Sequence, residues 1–103
     1  MSIYSGTSTE SGTWELRLYV AGQSSKSLRA YNNLTTLCER NLSGRYVIEV
    51  VDLVVEPALA RQDDIVAIPT LICRSPGPAR RIIGDLSNTD KVLRGLQIEL
   101  VES

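Results

Sequence analysis

The sequence predicts an α/β fold that opens on a parallel βαβ unit, and three observations carry that prediction. Leu16, Leu18 and Val20 alternate with Arg17 and Tyr19, the two-residue period of a strand. Apolar residues then recur at three- and four-residue spacings through Leu28, Tyr31, Leu34 or Thr35, Cys38 and Leu42, which would make one buried stripe on a helix. Tyr46 to Leu53 follows as a run rich in β-branched residues and reads as a second strand. A strand, a helix of this length and another strand return parallel, through a right-handed crossover.

Each boundary has a local cause. Residues 1–13 are rich in Ser, Thr and Gly and are expected to form a flexible tail, leaving 14–103 as one domain that begins near Trp14. Gly22 ends the first strand, and Ser24 or Ser25 offers a hydroxyl to a free backbone N–H at the helix start. Gly44 stops the helix because it takes positive φ without strain. Pro57-Ala58-Leu59-Ala60 opens a short helix with proline in its first position. Ile68-Pro69-Thr70-Leu71-Ile72 is an extended segment led by proline, and Ser75-Pro76-Gly77-Pro78 is a turn before a strand over Arg80 to Ile83. Ser87 with Asp90 three residues on reads as a capping box, followed by a helical stripe of Val92, Leu93, Leu96 and Leu100.

Two stretches of the second half fit more than one local structure. Leu96, Ile98 and Leu100 alternate with Gln97, Glu99 and Val101, so a strand suits the end of the chain as well as a helix does. Val50 to Val55 could also continue as strand past Leu53. A sequence that supports two local structures specifies each weakly. That is either the usual ambiguity of apolar runs or two packings of similar energy.

Composition narrows function. The protein has 103 residues, 43% of them hydrophobic, and a formal net charge of −1. That suits one soluble cytoplasmic domain, with no secretory signal and no apolar run long enough to span a membrane. Nucleic acid is not an expected partner, since phosphate neutralisation needs a concentrated basic surface. The one tight basic cluster is Arg80-Arg81 with Arg74 nearby, read as solvated strand-end arginines, and Asp63-Asp64 reads as a solvated helix end. There is no histidine, which removes Ser-His-Asp and Cys-His catalysis and the commonest metal ligand. Cys38 and Cys73 are too far apart for a CxxC motif and too few for a zinc site, so no metal and no cofactor is expected.

The element order βαβ, short helix, proline-led strand, strand, helix is the thioredoxin-like order. Redox members of that fold place CxxC at the start of the first helix, where the helix dipole lowers the thiol pKa. Here that stretch is Ala21-Gly22-Gln23-Ser24-Ser25-Lys26, without cysteine. A thioredoxin-like oxidoreductase is therefore disfavoured and no catalytic residue is expected. Pro69 stands where the fold carries a cis-proline.

Specific residues go further. Leu18-Tyr19-Val20-Ala21-Gly22, Pro57 with Leu59-Ala60, Ala67 with Pro69-Thr70-Leu71, and above all Arg80-Arg81-Ile82-Ile83-Gly84-Asp85-Leu86-Ser87 resemble the KaiB family, over roughly Glu15 to Leu100. The resemblance implies a non-catalytic regulator that binds a KaiC-type ATPase ring and modulates its phosphorylation and ATPase cycle in a clock or clock-like timing system. It implies binding in the thioredoxin-like βαβαββα form, while the free protein rests as an oligomer, dimer or tetramer, in a βαββααβ form. It also implies KaiA, or a histidine kinase with a KaiB-like sensor, as further partner or competitor.

Carried over residue by residue, Arg29, Arg80 and Arg81 match basic positions of the family. The expected partner contacts are Arg17, Arg29, Glu49, Asp64, Arg80 and Arg81. Pro69, Gly84, Asp85, Gly95 and Gln97 are the residues expected to shape the fold or its switch. Glu49 and Asp64 stand where clock members usually have lysine, and Gln97 where they often have aspartate. Those departures leave open a divergent paralogue in stress adaptation, with its own KaiC-like partner. A detached sensor domain of a KaiC-binding histidine kinase is a further alternative. The resting form is the expected state of the free protein, with the thioredoxin-like form as the other outcome if Gln97 has shifted the balance.

Overall fold

The computed structural model describes residues 13–97. In chain order these form β1 (Trp14–Val20), α1 (Ser25–Asn41), β2 (Tyr46–Asp52), α2 (Ala58–Gln62), β3 (Thr70–Ser75), β4 (Arg80–Ile83) and α3 (Thr89–Leu96). The strands make one sheet in the order β2-β1-β3-β4. β1 and β2 are parallel, as the βαβ reading requires, while β3 runs antiparallel to both β1 and β4. Expectations that fall on residues 1–12 and 98–103 lie outside the described residues.

This is the thioredoxin-like βαβαββα order, one of the two forms expected, and not the resting βαββααβ one. Packing accounts for the arrangement. Thr70, Leu71, Ile72 and Cys73 are all buried, as suits a strand covered on both faces in the middle of the sheet. Val92, Leu93 and Leu96 seat α3 on the same apolar cluster as Leu16, Leu18 and Val20 of β1.

The sheet has two unlike faces. On one, α1 and α3 cover Leu16, Leu18, Val20, Leu71 and Cys73 to make the main core. On the other, a smaller cluster of Tyr19, Val51, Leu53 and Ile72 packs against Leu59 and Ala60 of α2 and against Ile65. The alternation of β1 thus serves both layers, even positions to one side and odd positions to the other.

Four local readings are corrected. The buried stripe of α1 is Ser27, Ala30, Leu34, Leu37 and Cys38, whereas Leu28 and Tyr31 are 50% and 43% exposed. The rotation is set at the helix start. Ser24 caps it by accepting from the Ser27 N–H at 3.2 Å, and the Ser27 hydroxyl lies 3.0 Å from the Ser24 hydroxyl and accepts from the Ala21 N–H at 3.4 Å. A buried polar side chain with its partners in place is tolerated there, and it turns Leu28 outward.

The second correction is at the β2 end, where the strand stops at Asp52 and does not run on to Val55. The Asp52 carboxylate accepts from the N–H groups of Gly22 and Val54, each at 2.9 Å, and folds the chain into a turn. Third, Pro57 is the residue before α2 and not its first residue, although its φ of −63° is already helical. Fourth, the cap of α3 is Asn88, whose side chain accepts from the Lys91 N–H at 3.1 Å. Ser87 precedes that cap and bonds the Asp85 carboxylate instead, through its N–H at 3.1 Å and through its side chain. Gly44, at φ +73°, follows α1 as expected.

Candidate partner-binding surface

α2 has only five residues and covers one end of its sheet face. The uncovered remainder is charged. Strand pairing puts Glu49 of β2 beside Arg17 of β1, Arg17 beside Ile72 of β3, and Ile72 beside Arg81 of β4, one row across the whole sheet.

Arg17 is the hub of that row. Its Nε donates to Glu49 at 3.0 Å, and one Nη donates to Asp63 and to the Tyr19 hydroxyl, each at 3.3 Å. The Tyr19 hydroxyl in turn donates to the same Asp63 oxygen. The side chains of Arg17 and Asp63 are 21% and 25% exposed, against 59% for Glu49, so the inner pair is the better shielded one. Charge pairs in that position are screened less than open surface pairs. The arrangement holds Arg17 charged through the Tyr19 hydroxyl, with Glu49 adding to it and burial working against it. Burial, and then the bond to Asp63, push the Tyr19 phenol above its ordinary pKa, so it stays a donor.

Arg81 ties the same region down from β4. Its guanidinium donates to the backbone carbonyls of Asp64 at 2.8 Å and Asp63 at 3.3 Å, just past the end of α2. Asp64 has φ of +60°, an uncommon conformation for a residue other than glycine, and Arg81 grips the chain at that point.

The six expected contact residues therefore do not form one site. Arg17, Glu49, Asp64 and Arg81 gather on the α2 face. Arg80 points to the other side of the sheet, where it donates to the Gln97 side chain at 2.9 Å and to the Pro76 carbonyl at 3.4 Å. Arg29, on α1, pairs with Asp85 at 3.4 Å. Sequence reasoning missed Asp63, Tyr19 and Arg74 as members of the α2 face. The alternation that put Arg17 opposite Leu16 and Leu18 also put Tyr19 there, and that signal was available.

The residues expected to shape the fold lie at junctions, except Gly95, which is inside the last turn of α3. Pro69 is buried, and both Ile68–Pro69 and Ser75–Pro76 are cis. Gly84 donates its N–H to the Pro69 carbonyl at 2.9 Å, closing β4 against the proline-led loop. Asp85 accepts from Ser87, and these bonds, with Arg29 adding to them, hold its carboxyl below the ordinary range. Asn33 on α1 donates to the Asp85 carbonyl at 2.8 Å. Gly95 faces Ile82, and Gln97 closes α3 in the left-handed region at φ +59°.

Both thiols are buried in the main core. Burial pushes Cys38 up to about 12 and raises Cys73 as well, so both are held as thiols and not thiolates. Among the described residues no cluster of three or more His, Cys, Asp or Glu is placed to hold a metal ion. None of the described helices is long and apolar enough to cross a membrane.

These features define a class: a thioredoxin-like domain whose helix-start position holds serines where redox members hold cysteines, with its thiols sequestered and a charged sheet face left open. The KaiB domain model matches residues 17–98, and the chain belongs to the KaiB family. It is 48% identical over 94 residues to the circadian clock oscillator protein KaiB of Prochlorococcus marinus subsp. pastoris, covering 88% of each chain. It is 45% identical over 83 residues to the circadian clock protein KaiB3 of Synechocystis, covering 81% of each. Among solved structures it resembles the N-terminal domain of Synechococcus elongatus SasA, with a TM-score of 0.71 at 16% identity over 95% of this chain and 96% of that one. Mitochondrial thioredoxin 3 of Saccharomyces cerevisiae gives 0.65 at 18% identity over 84% and 78%. Those two likenesses speak for the fold alone.

Proposed function

We propose that the protein is a non-catalytic, cytoplasmic regulator that binds a KaiC-type ATPase ring and modulates its cycle. The observation that carries this reading is kinship of 45–48% identity to clock proteins, on a fold whose redox position holds Ser24 and Ser25. A chain of this class acts by what it docks against. Arg17, Glu49, Asp64 and Arg81 supply a charged face that steers encounter, and the neighbouring apolar positions hold the complex. KaiA and a kinase with a KaiB-like sensor are the expected further partner and competitor at the ring.

The ring takes the thioredoxin-like form, and a resting homo-oligomer holds the other form in reserve. Gly95 and Gln97, at the end of α3, sit where the two forms diverge. If the competent form is scarce, apparent affinity falls in proportion to its population.

A second reading has its own support. Glu49 and Asp64 bring negative charge to the face where clock members usually carry lysine: Glu49 stands in the row beside Arg17, and Asp64 lies in the loop past α2 where Arg81 holds its carbonyl. A ring with complementary charge, in a stress-adaptation system without an oscillator, suits that face.

The test is light scattering coupled to size-exclusion chromatography, on the protein alone and after hours with a hexameric KaiC-type ATPase and ATP. A free oligomer that slowly delivers monomers to the ring is the expected result. A constant monomer that never joins any such ring overturns the proposal. Assaying a clock ring and a stress-type ring side by side separates the two readings.

A further inference from the structure

The open sheet face carries two arginines that form no ion pair among the described residues. Arg17 is countered by Glu49 and Asp63, and Arg29 by Asp85. Arg81 spends its guanidinium on two neutral carbonyls. Arg74, exposed on β3, makes no side-chain hydrogen bond and no ion pair among the described residues.

A lone exposed arginine is ordinary. These two border the same depression of about 370 Å³, lined by Tyr19, Asp63, Ile72, Arg74, Ala79 and Arg81. Ile72 pairs with Arg81 across β3 and β4, so Arg74, two residues on, lies diagonally opposite Arg81 on the same face. Diagonal neighbours of that kind are roughly 7–8 Å apart, within reach of two long side chains converging on one group. The floor between them is apolar, formed by Ile72 and Ala79. Asp63 closes the inner end, its carboxylate already engaged by Arg17 and Tyr19.

We infer that this depression docks an acidic segment of a protein partner, with one carboxylate seated between Arg74 and Arg81 and an adjacent apolar side chain over Ile72 and Ala79. The inference rests on the reading that the chain works by binding a protein, and it names the chemistry of the segment bound. Guanidinium groups suit the occupant because they clasp a planar carboxylate through paired N–H donors. A phosphate backbone suits it less. Glu49 and Asp63 flank the same face, and the net charge of the chain is −1.

The experiment has two arms. In the first, the ¹⁵N-labelled full chain is titrated to millimolar levels with the capped peptide Asp-Leu-Glu-Asp-Leu, with its Asn/Gln analogue, and with a ten-residue oligothymidylate. In the second, wild type, Arg74→Glu and the control Arg45→Glu are bound to the hexameric KaiC-type ATPase. Arg45 is an exposed residue in the turn after α1. The expected result is saturable shifts confined to the amides around Ile72, Arg74 and Arg81, given by the acidic peptide alone and abolished by Arg74→Glu. Ring binding by Arg74→Glu should be weaker by about tenfold or more, the scale of one lost charge contact, and unchanged in Arg45→Glu.

Shifts scattered over the surface, equal shifts from the amide analogue or the oligothymidylate, or an Arg74→Glu variant that still responds overturn the inference. If wild type takes the acidic peptide as expected but never joins the ring, the site stands and the choice of partner falls. If the ring binds wild type and Arg74→Glu alike and the peptide binds nowhere, the regulator reading stands and this site falls.

Discussion

The two faces of the sheet are built by the same four strands and solve different problems. On the α1/α3 face, the buried inward positions of β1 and β3 are aliphatic or thiol, and two helices pack over them. On the α2 face, burial is confined to one end, and the rest is crossed by a row of Glu49, Arg17, Ile72 and Arg81 held in register by the strands. The first face supplies stability by excluding water. The second supplies a shaped charge pattern that a five-residue helix is too short to cover. The contrast teaches where energy and function separate in a chain this small. Substitutions on the first face should move stability strongly, and those on the second should move binding first.

The largest expected effect comes from breaking the first face. Leu34 is fully buried at the centre of α1 and packs in the main core. Leu34→Ala removes that packing and leaves a cavity, so a loss of about 2–5 kcal/mol is expected in urea or thermal unfolding. A loss no greater than that of an open-face variant such as Glu49→Gln would refute the division between the faces.

Tyr19 is where the faces meet energetically, because its ring is core and its hydroxyl belongs to the charged network. Tyr19→Phe keeps the ring and removes the donor to Asp63, leaving a half-buried carboxylate with Arg17 alone. The expected cost is about 1–3 kcal/mol at neutral pH. The pH dependence follows from the raised pKa of the phenol. Native-state preference for the protonated phenol is fully present below its unfolded value of 10.0, and it is lost as pH rises through the higher folded value. Wild type should therefore lose stability above about pH 10, and Tyr19→Phe should lose it less steeply. Cys38 and Tyr46, both at about 12, keep some slope in the variant. Identical alkaline slopes for the two proteins would remove Tyr19 from the network.

Legibility from sequence follows the same divide. Periodicity located β1, because its alternate positions serve two packed layers and a register slip is costly, and β-branched richness located β2 and with it the parallel crossover. The run from Arg80 to Ile83 was legible as a short strand after the Ser75–Pro78 turn, and the family kinship was legible in the residues from Arg80 to Ser87. The rotation of α1 was not, because a buried serine leads its inner stripe and no hydrophobic count finds it. The charged face was half legible. Arg17, Glu49, Asp64 and Arg81 were marked individually, but Arg29 and Arg80 lie elsewhere, since sequence spacing carries no information on which strands become neighbours. Asp63 and Arg74 read as solvated charges until the sheet placed them around Tyr19 and Ile72.

The start of α3 offers a sharper and smaller test of what local pattern conveys. The sequence pattern points to Ser87 as the cap, and the structure assigns the role to Asn88. Asn88→Ala should cost about 1 kcal/mol, in the range measured for lost caps. Ser87→Ala should cost less, because the backbone N–H bond to Asp85 is retained and only the hydroxyl's bond to the same carboxylate is lost. Equal losses in chemical denaturation would return the cap to Ser87.

The smallest expected effect is at Gly95, where two modest terms oppose each other. Glycine within a helix costs about 0.5–1 kcal/mol relative to alanine, so Gly95→Ala should gain on propensity. A Cβ there would stand 2.9 Å from Ile82 Cδ1 and 3.2 Å from its Cγ1, too close without movement. The nearer atom is the end of a flexible side chain on β4, so relief comes from a rotamer shift at a cost of similar size. Gly95→Ala alone should thus change stability by less than about 0.5 kcal/mol. Ile82→Val removes the Cδ1 atom and should cost about 0.5–1.5 kcal/mol on its own. In the double variant the propensity gain is released, so its loss should be smaller than the sum of the single losses. That non-additivity, read from a double-mutant cycle in urea, is expected at about 0.5 kcal/mol or more in the favourable direction. Strict additivity with a destabilising Gly95→Ala would mean that the helix end itself resists the methyl group, and that the contact with β4 is not what keeps glycine there.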